Sequence, residues 1–300
     1  MASSAYNGAC SPLSHLMSFF PGTTNRSRPK LLAGAALVWL TICACAASVA
    51  AQAGPASVYL EELTSAEVSG AIHAGTTTII IPIGGTEQSG PHMALGKHNV
   101  RARVLAGKVA AALGNTLVAP VLAYVPEGRI TPPAGHMRFA GTISVPDDAF
   151  KSLLEGAARS FRQTGFTDVV LIGDHGGYQA QLQAVATRLN RDWAGSPARV
   201  LFIEDYYRAA QAPYVQALHA QGLSDAQIGT HAGVADTSLM LAVDPSLVRV
   251  DQLPLAARQG QSGGVAGDPR ASSAALGQLG VDLIVQQTVA AIRKARGTRP

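Results

Sequence analysis

Short, uninterrupted apolar runs alternate along this chain with longer stretches in which apolar residues recur at helical spacing. Thr76-Thr77-Thr78-Ile79-Ile80-Ile81-Pro82 is β-branched and apolar and is closed by Gly84-Gly85, which predicts a strand buried on both faces. Asn99 to Leu113 follows with Val100, Val104, Leu105, Val109 and Leu113 at helical spacing, and Gly114 stops it. Leu117 to Val125 reads as a second strand. Pro146-Asp147-Asp148 opens a helix to about Thr164, with acids in the first turn where the macrodipole favours them. Val169-Val170-Leu171-Ile172 is the clearest buried strand, and Gly173-Asp174-His175-Gly176-Gly177 leads from it into a helix ending near Trp193. Val200-Leu201-Phe202-Ile203 is a further strand, His231 to Ser238 opens a helical run at Leu239-Met240-Leu241, and a last helix covers Ala274 to Ala295. Tyr124–Gly141 and Gln252–Arg270 show no clear period and are expected to be long irregular segments bordering a site. Fully apolar strands alternating with helices predict an α/β fold, with a mostly parallel sheet covered on both faces.

Ahead of this pattern lies a segment of another kind. Arg26, Arg28 and Lys30 precede an uncharged apolar run from Leu31 to Val49, and Ala51-Gln52-Ala53 supplies the small-x-small sequence that signal peptidase cuts. Residues 1–53 are therefore expected to be a signal peptide and leader, and residues 54–300 a single domain, periplasmic or secreted. An uncleaved anchor is the alternative, because the apolar run approaches the ~20 residues that span a bilayer. All three cysteines (Cys10, Cys43 and Cys45) lie in the leader, so the domain beyond it has no disulfide and no thiolate to use as nucleophile or ligand. Any metal there must be held by His, Asp and Glu.

The chain has 300 residues, 47% hydrophobic and 14% charged, which is enough apolar weight for a core and excludes disorder. Its formal charge of +4 falls close to zero once the three basic leader residues are set aside, since no acidic residue accompanies them. That balance leaves no electrostatic footprint for nucleic acid or an anionic membrane, and the expected partner is a small-molecule substrate.

In parallel sheets, ligands bind at the carboxyl ends of the strands. Glu87, His92 and His98 follow the first strand, Asp174 and His175 follow Val169–Ile172, and His231, Asp236, Thr237 and Ser238 stand at a helix start. Each group alone reads equally as ordinary structure: a satisfied polar residue at a strand end, or a helix cap. Together they favour a metal or catalytic site. Gly84-Gly85 belongs to no phosphate loop, because neither GxxxxGK[ST] nor GxGxxG occurs.

These residues also carry a resemblance. Pro82-Ile83-Gly84-Gly85-Thr86-Glu87-Gln88-Ser89-Gly90-Pro91-His92 resembles the P-x-G-S-T-E-Q-H-G-P-H signature of the creatininase (creatinine amidohydrolase) family. Gly173 to Gly177 is similar to that family's N-G-H-G-G-N turn, and Phe139-Ala140-Gly141-Thr142-Ile143-Ser144 to its F-P-G-T-I-S. His231 to Ser238 resembles H-A-G-E-x-E-T-S, and Gly264-Val265-Ala266-Gly267-Asp268-Pro269 resembles G-V-x-G-D-P. The resemblance implies a three-layer α/β/α fold, divalent metal at the strand ends, hydrolysis of cyclic or linear amide C–N bonds, and assembly into homo-oligomers, often hexamers. Residue by residue, it implies that Glu87 and His175 are metal ligands and His231 a catalytic histidine, with Asp236 standing where the family has Glu.

Some positions depart from the family pattern. The second His of E-Q-H, a ligand in two-metal members, is Ser89 here. The Asp of L-G-T-D that bridges the metals is His98, in Leu95-Gly96-Lys97-His98, and the Glu that creatininase has two residues after the turn histidine is Gly177. A neutral imidazole cannot neutralise two cations as a bridging carboxylate does, so His98 disfavours a metal pair. Glu87, His98 and His175 still offer two nitrogens and a carboxylate, the ligand set of a catalytic zinc with its fourth position open. The expectation is one divalent ion, zinc before manganese or iron, activating water for attack on an amide carbonyl. His231 would protonate the leaving nitrogen, its ordinary pKa suiting proton transfer near pH 7. Asp236 would orient His231 or join the ligands, and His92 and His136 would contact substrate. The chain is thus expected to be an exported metal-dependent amidohydrolase. A non-catalytic binding protein on the same fold, and a metal-dependent lyase or isomerase, are the alternatives.

Overall fold

Ile79, Ile81 and Ile83 point to one side of a central sheet and Ile80 to the other, and both sides are closed by apolar cores. Side chains alternate along a strand, so a run of isoleucine is stable only where neither face meets water. The computed structural model describes residues 56–297; the leader expected over residues 1–53 lies outside the described residues. Its sheet comprises β1 (Thr78–Ile83), β2 (Thr116–Val118), β3 (Asp168–Gly173) and β4 (Arg199–Phe202), in the spatial order β2-β1-β3-β4. All pairs are parallel, with Ile79 beside both Leu117 and Val169, and Val169 beside Val200.

Helices complete the three-layer α/β/α fold. On one face, α1 (Ser65–His73), α3 (Asp147–Thr164) and α4 (Gln179–Asp192) pack Ile72, Phe150, Leu154, Leu182 and Val185 on the sheet. On the other, α2 (Lys97–Leu113), α8 (Val234–Val243) and α10 (Ala274–Gly297) contribute Leu105, Val109, Leu239, Val281 and Ile284. The last helix is long and apolar enough to cross a membrane by composition alone, but its buried stripe lies in this second core. A Cβ on Gly277 would come within 1.8 Å of the Ser238 carbonyl oxygen, so α10 and α8 approach as only glycine allows.

Between these layers the chain turns through α5 (Asp205–Gln211), α6 (Pro213–Ala220) and α7 (Asp225–Ile228), none of which the periodicity had predicted. The strand expected over Leu117–Val125 is shorter than that. Only Thr116–Val118 pairs with β1, because Pro120 lacks the N–H that a ladder requires, and Leu122 adds one isolated bridge to Ile83. Gln252–Arg270 is not irregular either: α9 (Leu253–Gln259) and short 3-10 turns occupy it. A seven-residue helix with proline in its first turn and Gly260 at its end is too short to display a period.

β1 and β3 are neighbours, yet the chain leaves them for opposite faces, toward α2 from β1 and toward α4 from β3. Such divergence opens a crevice at the carboxyl ends of the two strands, where open α/β sheets bind their ligands.

Candidate functional site

Tyr178, fully buried, ties the two sides of this crevice together. Its hydroxyl donates to the Gly84 carbonyl (2.6 Å) after β1 and accepts the Asp174 and His175 N–H groups (3.1 Å each) after β3. Asn99 on α2 accepts the Gly85 N–H (2.9 Å) and donates to Thr86 Oγ1 (3.1 Å). The Phe139–Ser144 motif lies alongside: Thr142 Oγ1 accepts from the Gln88 N–H (3.1 Å), and the Ile143 N–H donates to the Thr86 carbonyl (2.9 Å). The family-like motifs are therefore one hydrogen-bonded frame, and Glu87 is what the frame presents.

The Glu87 side chain is fully buried. Its Oε1 bonds His98 Nε2 (2.8 Å) and lies 3.4 Å from Lys97 Nζ and 3.6 Å from His231 Nδ1. Its Oε2 has no hydrogen-bond partner other than the Glu127 carboxyl and lies 3.4 Å from His175 Nε2 and 3.7 Å from His136 Nε2. Burial would raise this carboxyl, but Lys97, His98 and His175 together outweigh burial and hold it well below the usual carboxylate range.

From Glu87 a closed circuit of charges runs through the layer behind the crevice. His98 Nδ1 bonds Asp174 Oδ2 (2.5 Å), and Asp174 also takes the Arg101 Nε–H (2.8 Å) and the Tyr206 hydroxyl (2.7 Å). Arg101 Nη1 donates to Asp236 Oδ1 (2.9 Å), and Lys97 Nζ joins Asp236 Oδ2 (3.2 Å) back to Glu87. Burial opposes ionisation of Asp174 and Asp236, yet their cationic neighbours keep both lowered. Asp236 spends its oxygens on Lys97, Arg101 and the Ala232 N–H (3.0 Å), so the structure sets it in this circuit.

The structure brings Glu87, His98 and His175 together, with one ligand atom of each within 4.8 Å of the others, and does the same for Glu87, His136 and His231. His231 is fixed by an antiparallel bridge to Ala266, in the late Gly264–Pro269 motif, and its Nε2 bonds the Gln88 carbonyl (2.9 Å). Burial, then Lys97, lowers it to about 3, so the ordinary histidine pKa expected from sequence does not hold and the ring is neutral at pH 7. His136 stacks on it with centroids 4.4 Å apart, bonds Gln88 Nε2 through Nδ1 (2.7 Å) and remains 30% exposed, at the mouth of the site. His92 is not at the site wall. It is fully buried with Nε2 on Thr237 Oγ1 (2.9 Å), which gives a substrate no surface to touch.

Glu127 was not singled out from sequence. It is buried after Val125-Pro126, and apart from the Glu87 carboxyl neither of its oxygens has a hydrogen-bond partner, while Oε2 lies 3.5 Å from His175 Nε2. Burial, then the charge on Glu87, pushes it up to about 9, so the two glutamates carry one proton between them. It reaches the site because Gly85 (φ 151°) has no side chain: a Cβ there would stand 2.3 Å from Glu127 Oε1. A readable signal existed, since Glu127 is the only acidic residue between Glu87 and Asp147. Lys97 had one too, as a cation in the first turn of a helix opposes the macrodipole.

The donor set fits a divalent cation. Three buried carboxylate oxygens, Glu87 Oε2 and both of Glu127, lack any partner beyond each other and the imidazoles. A tetrahedral ion with bonds of ~2.1 Å has ligand edges of about 3.4 Å. The separations of 3.4 Å (Glu87 Oε2 to His175 Nε2) and 3.5 Å (His175 Nε2 to Glu127 Oε2) match that edge. Asp174 on His98 Nδ1 is placed as an outer carboxylate would be if His98 held a metal. The Gly177 N–H on His175 Nδ1 (3.1 Å) directs the proton of that ring to Nε2, toward the two glutamates, where a cation would take its place.

Comparison with known proteins agrees. Residues 61–292 match the family described as "Creatininase: Creatinine amidohydrolase". The chain is 30% identical over 203 residues to the creatinine amidohydrolase of Pseudomonas putida, covering 66% of this chain and 76% of that one. It is 29% identical over 228 residues to the mycofactocin precursor peptide peptidase of Mycolicibacterium smegmatis, covering 69% of this chain and 81% of that one. A solved creatininase described with Mn superposes with a TM-score of 0.65 at 26% identity, over 80% of this chain and 98% of that one. A mutant creatininase described as Zn-Zn type gives 0.64 at 25% identity, over 80% and 98%.

Proposed function

The chain belongs to the creatininase family of hydrolases, and from that premise we propose that it is a divalent-metal-dependent enzyme opening an amide C–N bond in a small substrate. The observation that carries the reading is the set of buried oxygens on Glu87 and Glu127 with no hydrogen-bond partner beyond each other, faced by His175. Glu87, His98 and His175 would hold one ion, with Glu127 at its edge. When bound, such an ion supplies Lewis acidity toward a carbonyl oxygen and acidifies water. Two nitrogens and a carboxylate favour zinc, with manganese and iron as the other candidates.

The residues around the ion divide the remaining work. Asp174 keeps His98 oriented through Nδ1. His231, neutral and held through Nε2 by the Gln88 carbonyl, turns Nδ1 toward Glu87 and can take a proton from attacking water. It then delivers that proton to the leaving nitrogen, as a shared base and acid. His136, half-open at the mouth and stacked on His231, is placed to touch substrate.

The basic, apolar and Ala-x-Ala sequence of the leader supports export, with a mature N-terminus near Gly54. Relatives named for creatinine and for a precursor peptide define two substrate arms, cyclic amides and short peptides. The test measures metal content of the purified mature protein, then assays both arms before chelation, after it, and after reloading with zinc or manganese. Hydrolysis lost on chelation and restored by metal is expected. Hydrolysis indifferent to chelation removes the metal from the reading, and ligand binding without turnover replaces the enzyme with a binding protein.

A further inference from the structure

Lys97 opens α2 with its side chain 1% exposed, in the helix turn where a positive charge is least welcome and where no acidic residue offsets it. Helix stability therefore does not account for this lysine, and a buried ammonium requires anions close by. Its Nζ lies 3.4 Å from Glu87 Oε1 and 3.2 Å from Asp236 Oδ2, joining the carboxylate after β1 to the one on α8.

Glu87 thus has two faces. Oε2 looks toward His175 and Glu127, whereas Oε1 bonds His98 Nε2 (2.8 Å) and looks toward Lys97 at 3.4 Å, with His231 Nδ1 at 3.6 Å. Without the lysine, Glu87 Oε1 and Asp236 Oδ2 would be two carboxylate oxygens with no ammonium joining them. A relative with the same fold is of Zn-Zn type, so two cations in one such crevice are compatible with this architecture.

We propose that the Lys97 ammonium is the second cation of this site, a fixed charge standing in for a second metal ion and limiting the site to one. The inference rests on the reading that the site binds a divalent ion. The ammonium offsets the charge of both carboxylates that it joins, and its own charge repels a divalent ion a few ångströms away. It has no empty orbital for a carbonyl oxygen or a water. Lewis-acid chemistry would thereby be confined to the one ion held by Glu87, His98 and His175, and Lys97 would contribute charge alone.

The test is metal stoichiometry by elemental analysis and calorimetric titration with Mn2+ and Zn2+ on the wild type, Lys97→Met and Lys97→Arg. Expected are one ion per chain in the wild type and in Lys97→Arg, and two in Lys97→Met, with the Mn2+ spectrum changing from an isolated six-line signal to a coupled pair. If Lys97→Met folds only when Mn2+ is supplied, two ions in the refolded protein support the proposal. Two ions in the wild type overturn it, as does one ion in a folded Lys97→Met. A Lys97→Met chain that fails to fold at any metal concentration, with Lys97→Arg unaffected, makes the lysine a structural ion-pair partner and also overturns it. A wild type that binds no ion sinks the underlying metal reading instead, and is told apart because it shows before any variant is made.

Discussion

The carboxyl groups of Glu87 and Glu127 face the same edge of one imidazole, His175 Nε2, at 3.4 and 3.5 Å. They come from different loops, and apart from each other neither has a hydrogen-bond partner on the oxygen that faces the ring. Such an arrangement holds one proton in the absence of a cation, and becomes two anionic ligands when a cation replaces that proton.

Glu127→Gln tests whether that second carboxyl belongs to the metal centre. Glutamine has the shape of the protonated acid, so the metal-free variant should melt within a few degrees of wild type at neutral pH. Divalent metal affinity should drop by about tenfold or more, the loss typical of removing a group that supports a metal site. Titration calorimetry decides between the two: unchanged affinity would place Glu127 outside the centre.

How much of this was legible in the sequence depended on whether an element could be recognised locally. β1 and β3 were readable because strands buried on both faces must be continuously apolar. The region of α5 to α7 was not, since helices of four to eight residues barely complete two turns and show no period. Glu87, His98 and His175 were found through strand-end position, family resemblance and ligand chemistry, and the structure does converge them. The partnership of Lys97 with Asp236 crosses 139 positions and is dictated by the packing of α8 on α2, which no local pattern encodes. His92 misled for the opposite reason: it sits inside the motif, but its job is to pair with Thr237 in the interior.

His92 makes the acid stability of the protein measurable at one residue. Burial, then Lys97, lowers it to about 4 from an ordinary 6.5. The unfolded chain therefore binds a proton between pH 6.5 and 4 that the folded chain refuses. The stabilisation is fully present above pH 6.5 and is lost as pH falls toward 4. His175 and His231, lowered to about 4 and about 3 by burial first, act in the same direction. His92→Gln should flatten the fall in melting temperature across that window, and a slope identical to wild type would mean that His92 titrates normally.

His231→Ala should abolish turnover while leaving bound metal and melting temperature nearly unchanged. The ring touches Glu87 only at 3.6 Å and is anchored instead by the Gln88 carbonyl, so its loss spares the Glu87–His98–His175 group. His136→Ala should act differently, raising KM more than it lowers kcat, because that ring stands at the mouth. Elemental analysis beside steady-state kinetics separates the roles, and loss of metal from His231→Ala would make His231 a ligand.

His98 carries the heaviest demand, because it is both a candidate ligand and a link in the buried charge circuit. One ring nitrogen meets Glu87 Oε1 at 2.8 Å, and the other meets Asp174 Oδ2 at 2.5 Å. His98→Ala removes two hydrogen bonds to carboxylates, a loss on the order of 3 kcal/mol, and should take most of the metal affinity with it. His98→Asp is the sharper variant. It inserts a carboxylate between Glu87 and Asp174, with only Lys97 and Arg101, which Asp236 also engages, to offset four carboxylates. The metal-free protein should therefore melt below His98→Ala despite the smaller cavity. Manganese should raise its melting temperature by more than it raises that of wild type, because the added cation relieves repulsion as well as binding. Stoichiometry should nevertheless stay at one ion, since Lys97 still occupies the other face of Glu87. Differential scanning calorimetry with and without Mn2+ reads all of this at once. Full metal occupancy in His98→Ala would remove His98 from the ligand set, and a metal-free His98→Asp as stable as wild type would remove it from the charge circuit.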